Sequence, residues 1–328
     1  MVTIKISFSE EGMRLDRFLR KSLNLHSLSE IYKMIRKGLV RINGKKKSEN
    51  YRLQINDIVV LPVKEAELSL KSSIEKEKMV NIANTDYFKR NLKIIYEDDY
   101  IIACNKPPRL VVHSGSGHED DITLIDLIKS HIFSRDKSKN IDEIVLTHRL
   151  DKDTSGIILA AKDIQTARIL NKQIRDGIFQ KKYFAICHGL PNKLSGTIQT
   201  KLLKTVERNS GLKMKIAKEG LFSKTKYTVI EHNEILSKLS IIIFTGRTHQ
   251  IRVHMAYIGC PVVGDNRYGD YEKDKIIFAN KNIKNRLYLH SNMLSFLHPS
   301  SQKRFTLTAA EPEEFNIILK DTKNILTK

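Results

Sequence analysis

Near the N-terminus apolar side chains recur at helical spacing. Leu15, Phe18, Leu19 and Leu23 fall on one side of a helical wheel, with Arg14, Arg17 and Lys21 on the other. A second helix puts Ile31, Met34 and Ile35 against Lys33, Arg36 and Lys37, and Gly38 closes it. Leu39 to Ile42 then alternates as a strand, Asn43-Gly44 is the preferred two-residue hairpin turn, and Lys45, Lys46 and Lys47 follow. Val59 to Leu61 reads as a last strand, ended by Pro62. From residue 64 to about 91 periodicity fades into mixed charge, Ser and Asn; this predicts a flexible connection with room for a helical turn or two.

Strand patterns dominate the chain beyond residue 91. Leu92 to Glu97 and Tyr100 to Asn105 flank Asp98-Asp99, Ile157 to Ala161 is fit only for a buried strand, and Lys181 to Gly189 alternates. Asp163 can cap a helix that turns Ala167, Leu170 and Ile174 to the core and stops at Gly177. Residues 191 to 224, rich in Lys and Gly, read as a long mobile excursion, and Ile241 to Phe244 as a buried strand. Strand runs follow one another without regular crossover helices, so the chain is expected to be α+β with a mixed, mainly antiparallel sheet and a central cleft.

A chain of 328 residues exceeds one compact core, so two domains are expected. Its 57 Lys and Arg outweigh 37 Asp and Glu, for a formal charge of +20. That excess favours a polyanion as partner, whether RNA, DNA or an anionic membrane, although heavy Lys usage throughout is a second source of the same charge. Cys104, Cys187 and Cys260 lie far apart among apolar residues and read as reduced core thiols. No apolar run reaches the roughly 20 residues of a membrane span and no signal-peptide core opens the chain, so the expected location is cytoplasmic, without a membrane partner.

The chemistry concentrates in Thr147-His-Arg-Leu-Asp-Lys-Asp-Thr-Ser-Gly156, a charged and hydroxyl-rich loop that runs directly into the Ile157 strand. A rigid scaffold presents a reactive group in this way, although a lone loop Asp can also just cap a turn. A second cluster is Thr245-Gly-Arg-Thr-His-Gln-Ile-Arg-Val-His254. His249 and His254, five apart, align poorly on a helix and oppose each other on a strand, and no acidic or Cys ligand adjoins them, so no metal site is expected. Tyr183 taken alone would be a core tyrosine.

Together these segments resemble the RluA family of pseudouridine synthases, whose signature is HRLDxxTSG. The likeness extends to Asn105-Lys-Pro, to Lys181-x-Tyr183, to the GRTHQIRxH pattern, to Gly259-Cys-Pro-Val-Val-Gly-Asp265, to Arg286-Leu-Tyr-Leu-His290 and to Phe305-Thr-Leu through Glu314-Phe315. Pro108-Arg109 departs from the Ser-Gly common at that turn, and His113 in the next loop is taken to shape the cleft. The N-terminal pieces resemble an S4 RNA-binding domain. Expected boundaries are residues 1–64 for that domain, 65–91 for the linker, 92–320 for the synthase domain and 321–328 for a tail.

The resemblance implies conversion of uridine to pseudouridine in RNA, with Asp151 as the catalytic carboxylate, acting as nucleophile or base. It implies Tyr183 stacked on the base and involved in proton removal, and Arg252 paired with Asp151. Arg149 would fill or hold the space left by the flipped base, with Leu289 lining the base pocket and Arg247 among the RNA-binding residues. RNA-backbone contacts are expected from Arg14, Arg17, Lys33, Arg36, Lys37, Arg41 and Lys45. Isomerisation neither adds nor removes atoms, so neither metal nor other cofactor is expected. Large-subunit ribosomal RNA or its assembly intermediate is the expected partner, met by a monomer. Transfer RNA is the alternative substrate, and a non-catalytic RNA-binding or ribosome-assembly protein is the alternative class. A zinc-dependent base deaminase would need H-x-E with P-C-x-x-C, which this chain lacks.

Overall fold

In the computed structural model, residues 1–6, 10–23, 26–63, 76–113, 121–207 and 211–323 are described. The chain divides into two units, Met1–Thr85 with Lys129–Glu143, and Asp86–Ile128 with Ile144–Lys328.

In the first unit, helices α1 (Leu15–Ser22) and α2 (Leu28–Arg36) accompany a three-stranded antiparallel sheet of β1 (Val2–Lys5), β2 (Arg41–Ile42) and β3 (Ile58–Leu61), in the order β1-β3-β2. Ser27 and Glu30 close a reciprocal capping box at the start of α2, satisfying two amide donors that the helix leaves unbonded. Asn43 and Gly44 take φ of 50° and 74°, the doubly left-handed turn that matches strand twist, while Ile42 and Lys45 exchange hydrogen bonds. Leu15, Phe18, Leu19, Leu23, Ile31 and Ile35 are buried in one core, as the helical wheels predict. The stretch expected as a linker is not featureless. Residues 76–83 form α3, with Met79 and Ile82 buried, and Asp86–Asn91 forms α4. Residues 64–75 of that stretch lie outside the described residues.

The second unit is built on an eleven-stranded sheet. Its strands are β4 (Ile94–Glu97), β5 (Ile101–Lys106), β6 (Val145–Leu146), β7 (Ser155–Ala161), β8 (Gln180–His188), β9 (Ser195–Glu207), β10 (Gly211–Ile216), β11 (Leu221–His232), β12 (Leu236–Ile243), β13 (Leu289–Leu297) and β14 (Arg304–Thr308). The path runs β10-β9-β11-β12-β8-β13-β7-β5-β4, with β14 on β13 and β6 on β7; among the described residues the β13–β7 pair is the parallel one. Helices are α5 (Leu124–Arg135, which reaches into the first unit's residues), α6 (Ile164–Arg175), α7 (Gln250–Tyr257), α8 (Tyr271–Phe278) and α9 (Glu314–Thr322). Asp163 caps α6 by accepting from the Thr166 amide, and every residue of β7 is buried. Among the described residues the expected mobile excursion is instead largely strand. β9, β10 and β11 extend the sheet with antiparallel pairing, and on β11 Lys224 and Lys226 flank the buried Thr225.

A close approach ties β7 to β13 where the Asp151 loop runs into it. Gly156 has φ of +114°, and a Cβ there would lie 2.2 Å from the Ser291 carbonyl oxygen on β13. Only glycine meets both demands. Gly156→Ala is therefore expected to cost about 3 kcal/mol or more, seen as a melting temperature lower by roughly 6 °C or more in a calorimetric scan.

Candidate active site

The loop between β6 and β7 carries Asp151 and is held from both ends. The Thr147 amide and hydroxyl both donate to Leu159 O at 3.0 Å, and His148 Nε2 accepts from the Leu159 amide at 3.2 Å. Desolvation, aided by the Lys181 charge, holds His148 well below its ordinary pKa, so it accepts here as a neutral ring. At the far end the Thr154 amide closes a turn on Asp151 O at 3.1 Å.

A buried lysine completes the hold. Lys106, from the Asn-Lys-Pro segment, donates to Pro107 O at 2.9 Å, Leu110 O at 2.9 Å and Lys152 O at 2.7 Å. Burial pulls its ammonium down to about 7, against Asp153 and Asp151. Three carbonyl acceptors need three N–H donors, which only the charged form supplies, so the geometry favours the ammonium. Lys106→Met leaves three carbonyls without that donor and frees the peptide next to Asp151. The expected cost is about 2–4 kcal/mol of stability, with kcat reduced more than KM is raised.

Arg252 reaches Asp151 from the first turn of α7. Its Nε and Nη2 donate to the two oxygens of Asp265 at 2.7 Å each, and its remaining Nη1 donates to Asp151 Oδ2 at 3.2 Å. Asp265 also accepts from the Arg267 and Tyr268 amides, and the Tyr268 ring lies 5.3 Å from the guanidinium carbon. The fork on Asp265 fixes the guanidinium plane, so Nη1 has one place to go. Burial opposes the charge on Arg252, but the two carboxylates outweigh it and hold the group above its ordinary value. His249 Nε2 stands 3.9 Å from Asp151 Oδ2 while its Nδ1 meets the Tyr268 hydroxyl at 2.9 Å. Burial first, then Arg252 and Arg267, push the His249 pKa down.

Asp151, Arg252, Tyr183, Arg149, Arg247 and Leu289 all line one cavity of about 510 Å³, a volume that suits a small ligand. Tyr183 is 4% exposed on β8, and burial drives its hydroxyl pKa up, so the phenol stays protonated. Leu289 lies on neighbouring β13, also buried. Arg149 is exposed, and Arg247 donates to Phe222 O at 3.0 Å. Gln250 ties the loop before α7 by accepting from the Thr245 hydroxyl and the Arg247 amide. Beyond this cavity, the His254 ring meets the Thr225, Thr200 and Ser223 hydroxyls, and His113 is exposed and does not line the cavity.

In the first unit Arg17, Lys33, Arg36, Lys37, Arg41 and Lys45 are exposed, whereas Arg14 is committed to a two-point pair with Asp16. Motif reading assigns no part to Asp265, Lys106 or His249. Asp265 closes the Gly-Cys-Pro-Val-Val-Gly-Asp segment and Lys106 the Asn-Lys pair, yet nothing local says where either side chain goes.

Comparison with known proteins matches residues 100–257 to the RNA pseudouridylate synthase family and residues 13–59 to the S4 domain. A protein of Buchnera aphidicola subsp. Baizongia pistaciae, named ribosomal large subunit pseudouridine synthase C, is 35% identical over 97% of this chain and 96% of its own. The Escherichia coli K12 protein of the same name is 34% identical over 98% and 96%. Among solved structures, human RNA pseudouridylate synthase domain containing 4 overlays with a TM-score of 0.57 at 20% identity, covering 76% of this chain and 97% of that one, a likeness of fold.

Proposed function

Since the chain belongs to the RNA pseudouridylate synthases, we propose that it isomerises specific uridines to pseudouridine in 23S (large-subunit) ribosomal RNA, with Asp151 as the catalytic carboxylate. The observation that carries this reading is the clamped Arg252, which directs its last N–H at Asp151 in the cavity wall. The relatives named for the large ribosomal subunit supply the substrate class.

In this reading the target uridine leaves its stack and enters the cavity, at a cost of a few kcal/mol. Arg149, exposed at the rim, takes the vacated space in the RNA. Tyr183 and Leu289 enclose the base, and Arg247 binds at the mouth. The C1'–N1 bond breaks, the base turns, C1' bonds to C5, the C5 proton leaves and N1 gains a proton. Either role, nucleophile or base, requires the carboxylate form of Asp151, and the Arg252 Nη1 donates to its Oδ2. Tyr183, protonated in the free enzyme, is assigned in this reading to the face of the base from which the C5 proton is lost.

The S4 module of residues 1–64 grips backbone phosphates through Arg17, Lys33, Arg36, Lys37, Arg41 and Lys45, with Arg14 held back by Asp16. The synthase domain takes residues 92–320. The protein works as a cytoplasmic monomer whose large interface is the RNA itself; among the described residues no helix is long and apolar enough to cross a membrane.

Incubating the purified protein with transcripts of large-subunit ribosomal RNA and of transfer RNA tests the substrate class. Pseudouridine is expected at discrete positions in the ribosomal transcript. Product in the transfer RNA alone would reassign the substrate, and product in neither, under conditions where both bind, would favour the binding-protein class.

A further inference from the structure

The sheet extension β10-β9-β11-β12 has two unlike faces. Ser223, Thr225 and Tyr227 of β11 are buried on the side of α7, where Thr225 bonds His254 and Gln250. Among the described residues the opposite face has no such cover. Register places Phe222 beside Lys201, Lys224 beside Gln199, Lys226 beside Thr197, and Lys215 beside Leu203. Lys201, Lys215 and Lys226 are exposed, and Phe222 is 49% exposed.

Lysines on an edge strand keep other chains from pairing with it, which would account for those of β10. The explanation does not extend to β9 and β11, which have neighbours on both sides. Nor does ordinary solvation account for the face, because a solvated face usually mixes both signs. From Ser195 to Thr205 on β9, Lys213 to Lys215 on β10, Phe222 to Thr228 on β11 and Ser240 to Phe244 beside them, no described position on this face is acidic.

The face is also continuous with the cavity. Lys224 Nζ lies 4.8 Å from the centre of the Phe244 ring, Phe244 is 55% exposed, and the same ring lines the cavity. Arg247, another cavity residue, bonds the Phe222 carbonyl. Lysines spaced along strands with exposed aromatic rings between them suit a phosphate backbone whose bases stack where they are free.

We propose that this lysine face of β9, β10 and β11 is a second RNA-binding surface, which holds the backbone of the substrate RNA beyond the target nucleotide. It rests on the reading of the chain as an RNA-modifying enzyme, but it adds a site that neither the S4 module nor the cavity supplies. An RNA that leaves the cavity mouth at Phe244 meets this face next.

The test compares two charge-matched variants of the full chain. One carries Lys201→Gln, Lys215→Gln, Lys224→Gln and Lys226→Gln; the other removes four exposed lysines elsewhere, Lys139, Lys275, Lys281 and Lys320, by the same change. Each is titrated with a full-length large-subunit ribosomal RNA transcript across a salt series. The face variant is expected to bind about tenfold or more weakly than the control variant near 0.15 M salt, with the slope of log affinity against log salt reduced by about three. Equal losses in the two variants would reduce the effect to net charge and overturn the proposal. Wild-type affinity in the face variant would overturn it too and leave the face to another partner. Should the fourfold variant melt early, the pair Lys201→Gln and Lys226→Gln repeats the comparison against Lys139→Gln and Lys281→Gln. Pseudouridine formation by the wild type on the same transcript tests the functional reading separately.

Discussion

Asp151→Asn is expected to abolish pseudouridine formation, by at least about a thousandfold in kcat, while RNA affinity stays within a few fold and the melting temperature hardly moves. The geometry separates these three quantities. The amide keeps the size and much of the hydrogen bonding of the carboxylate but lacks its charge, which both candidate mechanisms need. RNA binding does not depend on a negative group in a basic cavity, and its removal lightens repulsion with phosphate. Stability is spared because Arg252 retains both bonds to Asp265, so no buried charge is left alone. Single-turnover assays, filter binding and a thermal scan of one preparation would check all three. A variant that loses binding and chemistry together would show that Asp151 is structural.

Arg252→Met is the change with the largest expected effect on the fold. The Asp265 side chain has 0% relative exposure, and without the guanidinium its carboxylate is buried with the backbone N–H donors of Arg267 and Tyr268 but no opposing charge from Arg252. Breaking a buried pair in this way costs about 3–5 kcal/mol, which at this chain length lowers the melting temperature by roughly 6–20 °C. Chemistry fails as well, since Asp151 loses the Nη1 donor.

The pH dependence gives this prediction a signature. In the wild type, burial pushes the Asp265 carboxyl up, but the Arg252 hydrogen bonds and charge outweigh burial and hold it below its ordinary value. Its stabilising contribution is therefore complete above the unfolded pKa, about 4, and is lost as pH falls through the lowered folded value. In Arg252→Met burial has no such counterweight and the folded pKa rises above the unfolded one. The variant's deficit should then shrink as pH falls from 7 toward 4, because the acid folds in its neutral form. Urea melts at pH 7 and pH 5 measure it, and a deficit that stays constant would assign the loss to packing instead. Arg252→Lys keeps a charge but not the fork, and should fall between the two proteins in stability.

How much of the fold is legible in the chain depends on how far each feature relies on distant residues. The two N-terminal helices, the Asn43-Gly44 turn and the β7 strand are set by local periodicity and turn chemistry, and the structure has them where that chemistry puts them. The stretch of residues 191–224 reads as a mobile excursion because only one side of its strands is buried, leaving Lys213 and Lys215 of β10 and Lys224 of β11 among polar neighbours. Its pairing partners lie elsewhere in the chain, so its own composition looks like a loop. The helix over residues 76–83 escapes periodicity for a related reason, since it buries little besides Met79 and Ile82.

The candidate site divides along the same line. Asp151, Tyr183, Arg252 and Leu289 stand in motifs that align with a family, and the fold gathers them around one cavity. The devices that hold them have no such local mark. His249 enters α7 at φ of 52°, a conformation rare outside glycine, and the chain turns into a helix at that residue without a local sequence signal for it. Asp265 returns to Arg252 only because Gly264, with φ of 74°, packs where a Cβ would stand 1.9 Å from the Arg286 carbonyl oxygen. Lys106 acts on Lys152 across 46 positions. Each is a long-range contact without a local pattern.

The most direct measurement maps pseudouridine across large-subunit ribosomal RNA from cells carrying the wild-type protein, none, or Asp151→Asn. The same discrete uridines should lose the modification in the last two strains and keep it in the first. Modification that persists at those sites in the Asp151→Asn strain would contradict the assignment of Asp151 as the catalytic carboxylate, and an unchanged map in the strain without the protein would contradict the ribosomal substrate.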